Sequence, residues 1–108
     1  MSPKAIGLIK NINNRCYISI ATIWEIAIKI SLNKLDLNGG FDEISKIIYK
    51  YDFELLLISF DHVRELINLA FYHRDPFDRI IISQGIIEKT SIITKDKNFN
   101  LYSVKTIW

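Results

Sequence analysis

The chain has 108 residues, 49% of them hydrophobic and 24% charged, which excludes a disordered segment and leaves room for one packed domain, residues 1–108. Its formal net charge of +2, with no basic run, permits contact with nucleic acid but does not argue for it. A lone cysteine, Cys16, rules out an internal disulfide and fits a reducing cytoplasm, while no apolar run has the length of a membrane span.

In chain order, Ser2-Pro3 opens a helix that runs to Lys10, with Ser as cap and Pro in the first helical position. Lys4, Pro3 and Gly7 stand here where a targeting signal would carry its apolar core. Asn11–Asn14 breaks the helix, and Tyr17–Ile20 reads as a short buried strand. Thr22 begins a helix to about Asn33. Gly39-Gly40 is a loop, and Asp42–Tyr49 is a short amphipathic helix with Ile44, Ile47 and Ile48 on one side. Phe53–Ile58 is a near-continuous apolar strand. Ser59 caps a helix to about Ala70, and Asp75-Pro76 starts another to about Lys89. Ser91–Thr94 is a strand, Asn98–Tyr102 a turn or single helical turn, and Val104–Ile107 a last strand. Apolar strands separated by helices imply an α/β domain with a parallel sheet covered on both faces, whose ligands bind beyond the carboxyl ends of the strands.

Carboxylates close to the ends of these elements are the chemistry-bearing feature. Asp75 and Asp78 lie in HRDPFDR, and Asp96 follows a strand in SIITKDK. Hard oxygen donors of this kind suit Mg²⁺ or Mn²⁺, the ions of phosphate chemistry. Each acid also has a plainer account. Glu25 completes Thr22-Ile23-Trp24-Glu25, a capping box, and stands four residues before Lys29, within reach of an ion pair. Its helix is apolar on most sides, so burial would force the acid toward a partner or a cleft. Asp75 before Pro76 is an N-cap, and Asp78 suits the positive end of that helix, with Arg74 and Arg79 at hand to neutralise it. Asp96, between Lys95 and Lys97, suits a solvated turn. His62 and His73 lack metal spacing with each other, and His73-Arg74 reads as a surface pair ahead of a substrate-facing one. Cys16 packs rather than reacts, Ser19 and Ser83 have no His and acid beside them, and no Gly-rich phosphate loop exists.

Taken together, YISIATIWEIAIKISLNKL, FELLLISF, HRDPFDRIIISQGIIE and SIITKDKNF, in this order, resemble a PIN domain, most closely the VapC-like toxin ribonucleases of bacterial toxin–antitoxin pairs. The resemblance covers nearly the whole chain. It implies a three-layer α/β fold, with a parallel sheet of about four strands flanked by helices. It implies an endoribonuclease that cuts RNA with Mg²⁺ or Mn²⁺ held by acids. Glu25 matches the second acid, Asp78 the third and Asp96 the fourth, all three as metal ligands and catalytic residues. Asp75 matches an accessory acid and Thr94 the hydroxyl residue before the last acid. The implied partners are RNA, a cognate antitoxin protein and a second copy of the chain. From charge alone, Lys29 and Arg79 are placed to steady the RNA backbone. Trp24, Phe77 and Tyr72 are candidates for an antitoxin groove, with core packing favoured for the first two.

One departure from the family pattern is visible. The family begins with an apolar strand ending in Asp-Thr, which supplies the first acid and lies between the strands matching Tyr17–Ile20 and Ser91–Thr94. Here Ser2–Ile6 resembles the element after it, and no Asp precedes residue 36. Either the reading frame starts further upstream or the chain is a natural truncation. In the second case the flanking strands pair directly, or a strand from another copy fills the gap. Two functions of different classes follow: a metal-dependent endoribonuclease toxin, or an inactive truncated remnant acting as a protein-binding or oligomerising module.

Overall fold

The computed structural model describes residues 2–108 and contains five α-helices and four short strands among them. The chain divides into two compact units: Ile9–Leu57, and Ile58–Trp108 together with the N-terminal residues through Leu8. Helix α1 spans Pro3–Lys10, with Ser2 Oγ accepting from the Ala5 N–H at 3.1 Å as the sequence leads one to expect of its cap.

In the unit Ile9–Leu57, β1 (Tyr17–Ser19) lies parallel to β2 (Glu54–Leu56), Tyr17 opposite Glu54 and Ser19 opposite Leu56. Helix α2 (Ile20–Ser31) follows β1 with no intervening loop. Its cap is Ser19, whose Oγ accepts from the Ala21 N–H at 3.1 Å. The capping box expected at Thr22 is therefore not formed: Thr22 already lies inside the helix, and Glu25 falls in the second turn, not the first. The helix is also less buried than its composition suggests, for Ala21 alone is fully enclosed and Trp24 is 57% exposed, so the core packing favoured for that residue is not found. Helix α3 spans Asp42–Lys50. Both α2 and α3 close through a left-handed residue that is not glycine, Asn33 at φ 56° and Asp52 at φ 54°. In each, two amides turn back onto the helix: Asn33 and Lys34 bond to Ile30 and Lys29, Asp52 and Phe53 to Tyr49 and Ile48. Asn and Asp carry this conformation at lower cost than other side chains.

In the other unit, α4 (Phe60–Glu65) passes into a 3₁₀ turn, Leu66–Asn68, instead of continuing as α-helix to Ala70. Ser59 caps α4 as expected, and His62 completes a capping box: Ser59 Oγ accepts from the His62 N–H at 3.2 Å, and His62 Nδ1 accepts from the Ser59 N–H at 2.9 Å. Helix α5 (Pro76–Glu88) packs against α4, and Ser83 Oγ donates to the His62 carbonyl. Strands β3 (Ile92–Ile93) and β4 (Thr106–Ile107) form a second parallel pair. The core of this unit is Leu69, Ile82, Phe99 and Tyr102, with Leu66, Ile81, Ile86, Ile92 and Val104 packed on it. Gly85 lets α5 come close to β3: a Cβ there would lie 3.0 Å from Ile92 Cδ1 and 3.4 Å from Val104 Cγ1.

The α/β class and the parallel sense of pairing agree with the sequence reading. The single sheet of about four strands does not appear: among the described residues the strands make two separate two-stranded pairs. Strands of two or three residues offer each other only a few ladder bonds, such as Glu54 N–H to Cys16 O at 2.9 Å and Ile92 N–H to Lys105 O at 2.9 Å. Among the described residues, no helix is long and apolar enough to cross a membrane.

Candidate metal centre

The segment HRDPFDR folds as a capped helix start. Asp75 is the N-cap of α5 and Pro76 occupies the first helical position, where its lack of an N–H costs nothing. Asp75 Oδ1 accepts from the Phe77 N–H at 2.9 Å and the Asp78 N–H at 3.1 Å. That cap fixes the first turn, and the first turn carries Asp78. Asp78 is half-buried, and its Oδ2 stands 2.7 Å from His73 Nε2.

Asp96 arrives from the other side of the same unit, just past β3. The Thr94 N–H continues the pairing with β4 by donating to Ile107 O at 3.0 Å. Thr94 Oγ1 then accepts from the Asp96 N–H at 3.1 Å, which turns the chain at the strand end. Asp96 Oδ1 accepts from the Asn98 N–H at 2.9 Å and so caps the 3₁₀ helix Lys97–Leu101. Thr94 thus acts on the backbone that presents Asp96.

His73, Asp78 and Asp96 come together here. Each offers one ligand atom, and the three atoms lie within 4.8 Å of one another, all on partly buried side chains. Two carboxylate oxygens and one imidazole nitrogen, brought together in a single unit, suit a divalent cation: the carboxylates supply opposite charge, and partial burial weakens competition from water. Of the sequence candidates, Asp78 and Asp96 meet, and Asp75 supports Asp78 as the cap of its helix. His73 joins them unexpectedly. It lies five residues before Asp78 in an irregular segment, where no periodicity foretells which way a side chain points, and its distance in sequence from His62 is irrelevant to the site.

Arg79 is corrected outright. It is 6% exposed, and its guanidinium donates to Ala70 O at 2.8 Å, Leu69 O at 3.1 Å, His73 O at 3.3 Å and the Tyr102 hydroxyl at 3.4 Å. Its Cζ also lies 4.0 Å from the centroid of the Phe71 ring. These bonds turn both terminal nitrogens of the group inward, away from any RNA backbone. His73 is held by the same arrangement, since its N–H donates to the Tyr102 hydroxyl at 2.8 Å.

Glu25 and Lys29 stand on α2, in the other unit. Their side chains are 3.7 Å apart, the ion pair expected from their spacing, with Lys29 about half exposed. Tyr72 is exposed and meets Tyr102 edge to face at 5.3 Å between centroids. Cys16 is partly buried, and burial pushes its thiol above the ordinary range, in keeping with a packing role.

Compared with known families, residues 2–105 match the model of the PIN domain. No curated protein and no solved structure matches the chain.

Proposed function

The chain belongs to the PIN domain family, and from that premise we propose that it is a metal-dependent endoribonuclease of the VapC-like kind, a toxin held in check by a protein antitoxin. PIN domains are generally metal-dependent nucleases that act on RNA. The finer assignment is supported by WEIAIK, HRDPFDR and TKD, in that order along the chain. The observation that carries it is the meeting of Asp78 and Asp96 with His73 inside 4.8 Å.

Asp78 and Asp96 would hold the ion, Mg²⁺ or Mn²⁺. A bound dication lowers the pKa of a coordinated water and offsets the charge that grows on the phosphate as its P–O bond breaks. The chain's own residues prepare that site. Asp75 fixes the turn that carries Asp78, and Thr94 fixes the turn that carries Asp96. Glu25 enters as a further acid, and Lys29 as a backbone contact, on the sequence pattern alone. Few protein ligands suffice for Mg²⁺, which retains several waters.

The test is cleavage of single-stranded RNA with Mg²⁺ or Mn²⁺ by wild type, Asp78→Asn, Asp96→Asn and Glu25→Gln. Cleavage in wild type that vanishes in the two Asp variants is expected. Equal residual cleavage in all four proteins would identify a contaminating nuclease. A second reading, a non-catalytic module that binds a protein or a second copy of itself, is favoured by the exposed apolar side chains Trp24 and Ile28 of α2. Sedimentation separates the two forms of this reading, since a monomer at all concentrations excludes the homodimer.

A further inference from the structure

We propose that His73 is a third ligand of the metal centre, and that its ring nitrogen turns the site from Mg²⁺ toward a first-row transition dication such as Mn²⁺. The inference rests on the metal-nuclease reading and goes beyond its carboxylates.

Three observations carry it. His73 Nε2 lies 2.7 Å from Asp78 Oδ2, and His73, Asp78 and Asp96 each have a donor atom within 4.8 Å of the other two. The residue is also placed by its backbone. Its N–H donates to the Tyr102 hydroxyl at 2.8 Å, and its carbonyl accepts from Arg79 at 3.3 Å. Tyr102 belongs to the core of this unit and Arg79 is buried, so the imidazole is carried on a fixed support and not on a free loop. Such support is what holds a ligand ready for an ion. Lastly, the donor set is mixed. Mg²⁺ takes oxygen donors and keeps its waters, whereas imidazole nitrogen suits transition ions.

The plainer alternative is that His73 only holds Asp78 by a hydrogen bond. Electron spin-echo envelope modulation on tag-free protein loaded with Mn²⁺ distinguishes them, because a coordinated imidazole leaves a ¹⁴N coupling on the ion and a hydrogen-bonded one does not. The chain has two histidines. His62 is 2% exposed, with Nδ1 engaged by the Ser59 N–H and Nε2 by Glu88, so a coupling reports His73. The expected result is a ¹⁴N coupling in wild type that disappears in His73→Gln, with Mn²⁺ affinity reduced roughly tenfold or more and Mg²⁺ affinity far less affected. The bonds that fix residue 73 are made by its backbone, so this variant keeps them, and the wild-type spectrum decides alone should it fail to fold. Mn²⁺ that binds wild type and is lost in Asp78→Asn, but shows no ¹⁴N coupling, overturns the role of His73 and leaves the carboxylate centre standing. Mn²⁺ that fails to bind wild type, or binds Asp78→Asn and Asp96→Asn equally well, overturns the metal centre itself.

Discussion

If Arg79 is an internal clamp and not an RNA contact, replacing it must cost stability before it costs activity. The guanidinium makes two strong bonds, to Ala70 O at 2.8 Å and Leu69 O at 3.1 Å, and two longer ones, to His73 O and the Tyr102 hydroxyl. A hydrogen bond with one charged partner contributes about 1.5–3 kcal/mol, and such terms are not additive within one group. The contact with Phe71 adds about 0.5–1 kcal/mol, because that ring is largely exposed. Arg79→Lys keeps the charge and one good bond, so a loss of about 2 kcal/mol is expected. Arg79→Met leaves the carbonyls of Leu69 and Ala70 without their charged donor and should lose about 3–5 kcal/mol. A domain of this size is stable by about 5–15 kcal/mol in total, so the Met variant loses a large share of it. Urea denaturation followed by far-ultraviolet circular dichroism measures both. A Met variant within about 0.5 kcal/mol of wild type, the range of ordinary surface substitutions, would refute the clamp. Weaker RNA binding in the same variant would then restore the substrate role.

Two further outcomes follow from packing and burial. Gly85→Ala gains about 1 kcal/mol of helix propensity, but its methyl would sit 3.0 Å and 3.2 Å from Ile92 Cδ1 and Cγ1, so a net loss of about 1 kcal/mol is expected. The loss should shrink in an Ile92→Val background, where Cδ1 is gone, and strict additivity of the two changes in thermal melts would disprove the contact. Burial raises the folded Cys16 thiol above its unfolded value, so its contribution to stability is complete below the unfolded thiol pKa and is lost as pH rises from about 8.5 through the folded value. Cys16→Ser should remove that alkaline slope from the denaturation midpoint, and a slope of equal size in the variant would assign it elsewhere.

How much of this was legible in the sequence depends on whether the determining contact is local. Asp75 as the cap of α5, Pro76 as its first residue and Asp42 as the start of α3 could all be read from a few adjacent letters, and the structure agrees. The start of α2 was misplaced because Ser19 and Thr22 are nearly equivalent caps; choosing between them requires knowing that β1 ends at Ser19. That Asp78 and Asp96 each sit at the end of an element could be read because the type of both elements was clear. Neither their mutual distance nor their neighbour could be, since both depend on how the segment between α4 and α5 is folded.

That segment has a buried organiser, which no periodicity reveals. Residues 66–70 contain no glycine or proline, and nothing local explains why α4 stops at Glu65 when the pattern runs to Ala70. Arg79 is the distant group that meets this segment. The carbonyls of Leu69 and Ala70, which would be the last ones of a helix running to Ala70 and so without amide partners, accept from a guanidinium ten and nine residues further along. The same guanidinium also donates to the His73 carbonyl, and the imidazole of that residue stands next to Asp78 in the first turn of α5. One buried cation thus bonds both the segment that follows α4 and the residue that brings a nitrogen donor beside the two acids, a residue the Tyr102 hydroxyl also holds. Residue 79 looked like an RNA contact by its sign, and its work lies in shaping the centre from beneath.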